Sequence, residues 1–203
     1  TMGPDQAREV LLEAVCMGAE RGYLISDRCF AGADVCATSH TLSQGIRQSG
    51  TYDLILCGKQ TTDGDTAQVG AETAEFLGIA HGANILEVLE TGDTFVTVRM
   101  NLENKIQTQK MELPCLLTVD KDVNTPRLPS YKRRIGMDPG CIKVMGLDDL
   151  EDRDSGHYGL KGSPTQVERI FPPDKKTDKE IMEGTGRELA QAMAAVLRKH
   201  KFI

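Results

Sequence analysis

The residues best equipped for chemistry are crowded into one stretch, LILCGKQTTDGDTAQVG at positions 54–70. A short apolar run there gives way to Gly58, Lys59, Gln60, Asp63, Gly64, Asp65, Thr66 and Gln68. With the apolar run as a strand and the residues from Thr66 onward as a helix, the backbone N–H groups of Thr66, Ala67, Gln68 and Val69 are the partnerless donors of a first turn. Joined to the positive end of the helix dipole, they form an anion site suited to phosphate. Thr66 and Gln68 add side-chain donors. Gly58 and Gly64 admit a close approach by the ligand, and Gly70 lets the helix lie close on a sheet. The spacing is not a Walker loop, because no glycine stands five residues before Gly58 and Gln60 occupies the place of the required Ser or Thr. Read alone, DGDTAQ is also an ordinary Asp-Gly turn with a helix cap. Asp63 and Asp65 as a cation pair are a weak signal.

The surrounding elements must put that loop at the end of a sheet. Leu11, Leu12, Val15 and Met17 predict an amphipathic helix over about 4–18, with Pro4 in its first turn. The Met-Gly-Pro that precedes it reads as the exit of a strand. YLIS at 23–26 predicts a short strand, and Asp34 an N-cap for a helix that ends near Gly50. YDLILCG at 52–58 has the continuous apolar character of a strand buried on both faces of a parallel sheet. TAQVGAETAEFLG follows as a helix closed by Gly78.

That rhythm belongs to a doubly wound α/β sheet, whose ligands bind outside the carboxyl ends of the strands. From Ala83 to Leu113 apolar and polar residues alternate, which predicts an antiparallel ribbon. PCLLTVD at 114–120 restores a buried strand. Beyond Asp120 the chain predicts little regular structure before a helix over about 178–199, so the intervening segment must be disordered or lie on another protein. Its apolar residues Tyr158, Leu160, Val167, Ile170 and Phe171 favour another protein.

Composition narrows the classes of function. The 203 residues are 39% hydrophobic and 27% charged, with a net charge of -6. That acidic balance argues against nucleic acid as the main partner. No run reaches the ~18 apolar residues of a membrane span, and no secretion leader is visible. Six cysteines form no C-x-x-C pair, and several lie in apolar runs, as reduced structural cysteines of a cytoplasmic protein do. No nucleophile with a paired base is recognisable, so no catalytic residue is assigned.

GKQTTDGDTAQVG matches the pattern G-(K/R)-Q-x-x-D-x-D-x-x-Q-x-G and thereby resembles the electron transfer flavoprotein β subunit. The resemblance extends to the initial MGP, MGAERG, SDRCFAGADVCATSHTL, LPCLLTVDKDVNTPRLPS and GSPTQVERIFPP, nearly the whole chain. It implies a flavodoxin-like, adenine-nucleotide-binding domain that pairs with an α subunit carrying FAD. Ordinary members hold AMP in the β subunit, whereas electron-bifurcating members hold FAD at the same place. Carried over by position, Cys57, Gly58, Lys59, Gln60, Asp63, Gly64, Asp65, Thr66, Ala67, Gln68, Val69 and Gly70 wrap the cofactor. Met2 and Gly3 lie by the adenosine.

The segment FAGADVCATSHTL resembles the bifurcating group, in which G-A-D-T-x-A-T helps to hold the flavin. Thr38 stands at the second threonine, but Val35 replaces the first. With Gly64 and Ala67, this favours FAD over AMP. Such a subunit takes a hydride from NADH at its flavin, sends one electron to ferredoxin, and sends the other through the α-subunit flavin to an acyl-CoA dehydrogenase. Within 126–136, Leu128, Pro129, Ser130, Tyr131, Lys132 and Arg133, with Arg134, match the loop that docks on the dehydrogenase.

The resemblance divides the chain into a nucleotide domain at 1–147 and an arm with a helix at 148–203 that contacts the α subunit. It also implies that the family's first strand is missing from this chain. Such an N-terminally truncated sheet should be poorly stable alone, with exposed edges. The rival readings are a β subunit holding structural AMP and an ATP-binding protein of the same superfamily. The second lacks the S-G-G-x-D-S pyrophosphatase motif.

Overall fold

The computed structural model describes residues 1–62, 64–172 and 181–203, which form two compact units, Thr1–Gln166 and Val167–Ile203. The first is a doubly wound α/β unit. After a single 3-10 turn come α1 (Arg8–Met17), β1 (Gly22–Ile25), α2 (Val35–Ser49), β2 (Leu54–Gly58) and α3 (Val69–Leu77). The ribbon β3 (Ala80–Thr91), β4 (Phe95–Leu102) and β5 (Lys105–Glu112) leads to β6 (Cys115–Val119). Next are α4 (Tyr131–Ile135), β7 (Ile142–Met145) and the one-turn α5 (Gly159–Gly162).

The strands make two sheets. In the larger, ordered β2-β6-β3-β4-β5, β6 is parallel to both β2 and β3, and the ribbon continues antiparallel. In the smaller, β1 and β7 pair in parallel, with Gly22 opposite Ile142 and Ile25 opposite Met145. Met2 adds an isolated parallel bridge to Ile25.

Alternation along the strands sets which helix covers which face. Gly22 of β1 meets Leu11 of α1, while Ile25, three residues on and so on the opposite face, meets Gly45 of α2. In β6, Leu116 and Thr118 lie under Gly70 of α3, whereas Cys115 and Leu117 turn to the other face. There they join Ile85, Val96, Val98, Met100 and Met111 in the main apolar cluster. Strand β4 shows the period-two pattern plainly, with Val96, Val98 and Met100 buried and their neighbours less so.

Three expectations are corrected. The apolar run of β2 is not buried on both faces: β2 is the outer strand of its sheet, and Leu56 is 59% exposed. The residues after Asp120 are not structureless, because β7 completes the smaller sheet. Tyr158 does not await another protein; it is fully buried beside Ile25, Phe30 and Leu150. Its hydroxyl donates to the Asp152 carbonyl at 2.5 Å. Leu160, Val167, Ile170 and Phe171 are exposed.

In the second unit, α6 (Gly186–Lys199) begins at Thr185, whose backbone N–H and hydroxyl both donate to Glu188 at 2.8 Å. This arrangement is a helix-starting box. The earlier start expected at Asp178 lies outside the described residues.

Candidate functional site

Two segments that leave parallel strands converge through α2. One leaves β1 and runs over 26–34; the other leaves β2 and runs over 59–68. The Ser39 hydroxyl near the start of α2 lies 3.1 Å from the Glu72 carboxylate and 3.3 Å from the Val69 carbonyl oxygen, both in the first turn of α3. The beginnings of α2 and α3 are therefore neighbours.

The β2 side carries the loop singled out by its composition. Helix α3 starts at Val69 rather than Thr66, which corrects the expected donors. The reason is backbone conformation: Asp65 and Ala67 have φ of 49° and 55°, left-handed values that no continuing helix contains. Such values are uncommon outside glycine and costly for alanine, so the surrounding loop must hold them in place. The Gln68 side chain makes no capping hydrogen bond to the α3 start. The first-turn N–H groups of α3, which lack intrahelical partners, are those of Gln68, Val69, Gly70 and Ala71.

Gln60 donates from Nε2 to Asp65 at 2.5 Å and ties the two ends of the loop together. Lys59 donates its N–H to Val119 at 3.0 Å, and its ammonium lies 3.8 Å from Asp120. Gly58, Gly64, Thr66 and the half-buried Cys57 lie in or beside this loop, while Asp63 lies outside the described residues. Gly70 has a firm packing role, since a Cβ there would sit 2.3 Å from Thr118 Cγ2.

The β1 side holds a cavity of about 320 Å³ whose walls include Met2, Gly3, Ser26, Asp27, Phe30 and Gly32. Met2 and Gly3, which the resemblance puts by the adenosine, line this cavity. Gly3 donates to the Ile25 carbonyl at 3.1 Å, which fixes the rim. Asp27 accepts from the N–H groups of Cys29 and Leu147, and these bonds hold its carboxyl below the usual range. Burial, reinforced by Asp27, raises the Cys29 thiol to about 11, so it stays protonated and unreactive at neutral pH.

Asp34 caps α2 as its sequence position predicts, accepting from Ala37 N–H at 3.0 Å. Partial burial pushes its pKa up, but hydrogen bonds from Ala37 and Thr165 outweigh that and leave it lowered. Thr38 is half-buried one helical turn on, its N–H donating to the Asp34 carbonyl at 2.9 Å.

Asp27 and Phe30 line the cavity without having been singled out one by one in the sequence, whereas Gly32 opens the stretch that matches G-A-D-T-x-A-T. Gly32, at φ 73°, was the legible signal. A larger depression of about 710 Å³ lies between α1 and residues 129–137, with Glu9, Glu13 and Arg134 in its lining. The loop beside it exposes Leu128, Tyr131 and Ile135, at 88%, 78% and 70%. Pro129 and Ser130 are its base: Ser130 donates its N–H to Cys16 at 2.9 Å and accepts from Arg133 N–H. Lys132, Arg133 and Arg134 are exposed beside the apolar tip.

A parallel-stranded unit with helices packed on its sheets and loops at its strand ends belongs to the doubly wound α/β class of protein. The model of the electron transfer flavoprotein domain matches residues 1–145. The chain is 38% identical over 203 residues to the electron transfer flavoprotein subunit beta of Clostridium acetobutylicum, covering 100% of this chain and 77% of that protein. It is 38% identical over 204 residues to subunit CarD of the caffeyl-CoA reductase-Etf complex of Acetobacterium woodii, again at 100% and 77%. With the acryloyl-CoA reductase electron transfer subunit gamma of Anaerotignum propionicum it shares 36% over 208 residues, at 98% and 77%. The chain belongs to the electron transfer flavoprotein family, as a β subunit, and its function lies in electron transfer. Among the described residues no helix is long and apolar enough to cross a membrane.

Proposed function

We propose that this β subunit binds FAD across the β1 and β2 strand ends and takes part in flavin-based electron bifurcation with an α subunit, in the cytoplasm. The observation that carries the reading is the left-handed pair Asp65 and Ala67 leading into the α3 start. Backbone strain of this kind persists where a loop is shaped for a ligand. The pyrophosphate would rest on the first-turn N–H groups of α3, with Thr66 and Gln68 as further donors. Asp27, low in pKa and an acceptor only, suits ribose hydroxyls and repels phosphate, which orients the adenosine toward Met2 and Gly3. When bound, FAD supplies the exchange between two-electron and one-electron transfer that side chains lack.

Electrons would enter from NADH and leave to ferredoxin and to the α-subunit flavin. Leu128 and Tyr131 would dock in an apolar recess of an acyl-CoA dehydrogenase, with Lys132 and Arg133 steering toward an acidic rim. Relatives named for CoA-thioester reductases support that class of partner. The exposed Val167, Ile170 and Phe171 suit an arm laid on the α subunit. Six unpaired cysteines suit a reducing compartment.

The second reading, structural AMP with simple electron shuttling, draws on two observations. The cavity volume of about 320 Å³ lies at the small end for ligand sites. Val35 also brings no hydroxyl to the flavin-holding stretch. An anaerobic assay of the full-length heterodimer with NADH, ferredoxin and an acyl-CoA dehydrogenase separates the two. Bifurcation requires that NADH oxidation reduce ferredoxin only while the dehydrogenase is turning over. Transfer from dehydrogenase to α-subunit flavin with no NADH oxidation would establish the AMP reading instead.

A further inference from the structure

The wall of the β1 cavity is gripped from behind by residues 158–165, just ahead of the second unit. Asp34 accepts from Thr165 twice through Oδ2, from the backbone N–H at 2.9 Å and from the hydroxyl at 2.7 Å. Its own N–H donates to Ser163 Oγ at 2.8 Å, and that hydroxyl donates to the Gly159 carbonyl at 2.7 Å. The Leu160 N–H donates to the Ala31 carbonyl at 3.0 Å. Gly159, at φ 54°, lies so close to the loop that a Cβ would stand 2.1 Å from the Cys29 carbonyl oxygen. Phe30, itself part of the cavity wall, packs on buried Tyr158 with ring centroids 5.2 Å apart.

Apart from the local Ser163–Gly159 bond, every contact in this set joins segments more than a hundred residues apart, so local turn geometry does not produce them. The set ends at Thr165, two residues before Val167, where the second unit begins. We propose that Asp34 and Thr165 are positioning residues that couple the shape of the nucleotide cavity to the seating of the arm on the α subunit. This rests on reading the cavity as part of the nucleotide site. The same carboxylate that starts α2 beside the cavity holds the base of the arm. Reciprocity then requires that whatever orders the arm tightens the nucleotide, and the reverse.

Full-length heterodimer, stripped of β-site nucleotide, is titrated with FAD and separately with AMP, and its assembly is checked by size-exclusion chromatography across a dilution series. Thr165→Val removes the hydroxyl donor at an exposed position. The expected result is about tenfold weaker binding of whichever nucleotide the wild type takes, together with dissociation of the heterodimer at higher concentration. Thr165→Ser restores both. Asp34→Asn, which keeps an oxygen for Ala37 but has a single acceptor to share, shifts both readouts in the same direction as Thr165→Val. Equal nucleotide affinity in wild type, Thr165→Val and Asp34→Asn overturns the coupling. If the wild type binds neither FAD nor AMP, the nucleotide reading itself is wrong, and the coupling falls with it.

Discussion

Asp152 is shared by two histidines: His40 Nε2 lies 3.1 Å away and His157 Nδ1 2.7 Å, both on the same oxygen. The contact fastens the 152–157 segment to α2. Partial burial pushes the Asp152 pKa up, yet its bonds from His157 and from Asp154 N–H leave it net lowered. Its bond to Asp152 raises His157 above its ordinary 6.5. The two shifts describe one interaction and are counted once. A raised histidine stabilises fully below 6.5 and loses that contribution as pH climbs through the raised value. A lowered carboxyl stabilises above 3.8 and loses its share as pH falls through the lowered value. The tether is therefore at full strength between those limits. Because His157 is exposed, the effect is small. The thermal midpoint of the full-length heterodimer should decline modestly above pH 6.5, and His157→Gln should flatten that part of the profile. Parallel profiles for the two proteins would remove the tether from the account.

At the scale of elements, the approach of α3 to the sheet decides where the loop stands. A methyl group at Gly70 would sit 2.3 Å from Thr118 Cγ2, and Thr118 is itself buried in β6 with little room to turn. Gly70→Ala should lower stability by about 1–3 kcal/mol, as overpacking of a tight contact does. It should also weaken nucleotide binding, because the helix start moves with the helix. Gly58→Ala meets nothing within 4 Å and serves as the control, with stability unchanged in denaturant titration. A Gly70→Ala protein as stable as Gly58→Ala would show that α3 adjusts freely.

Much of this element layer is legible in sequence. Asp34 is a cap by residue type, and PCLLTVD is a buried strand by its unbroken apolar character. Strand β7 is not legible. Its Ile142 and Met145 are too few to show a period, and the strand takes its identity from pairing with β1. The start of α3 is obscured for the opposite reason. Thr-Ala-Gln reads as helix by propensity, and only tertiary context places Ala67 in a left-handed conformation. Asp27 and Phe30 are hidden because a cavity is a property of assembled segments. Two of its walls, Met2–Gly3 and Ser26–Ala33, are far apart in the chain.

For the whole molecule, a net charge of -6 coexists with a basic, leucine-tipped loop that α1 holds by its C-terminal end. Arg133 reaches the Val15 carbonyl and the Ser130 N–H that of Cys16, so the Arg133 guanidinium stands at the negative end of a helix dipole. Charge of opposite sign to the molecule's own, gathered at an apolar tip, favours one encounter orientation. On the proposed reading, the arm and the loop serve partners, while the crevice at the strand ends serves the cofactor.

That division stands or falls on what the crevice holds. The most direct test is to co-express the full-length β subunit with its α partner, denature the purified heterodimer, and count FAD and AMP by chromatography. The account predicts a second FAD beside that of the α subunit, and no AMP. One FAD with one AMP would contradict the bifurcating assignment, and a β subunit carrying no nucleotide at all would contradict the site.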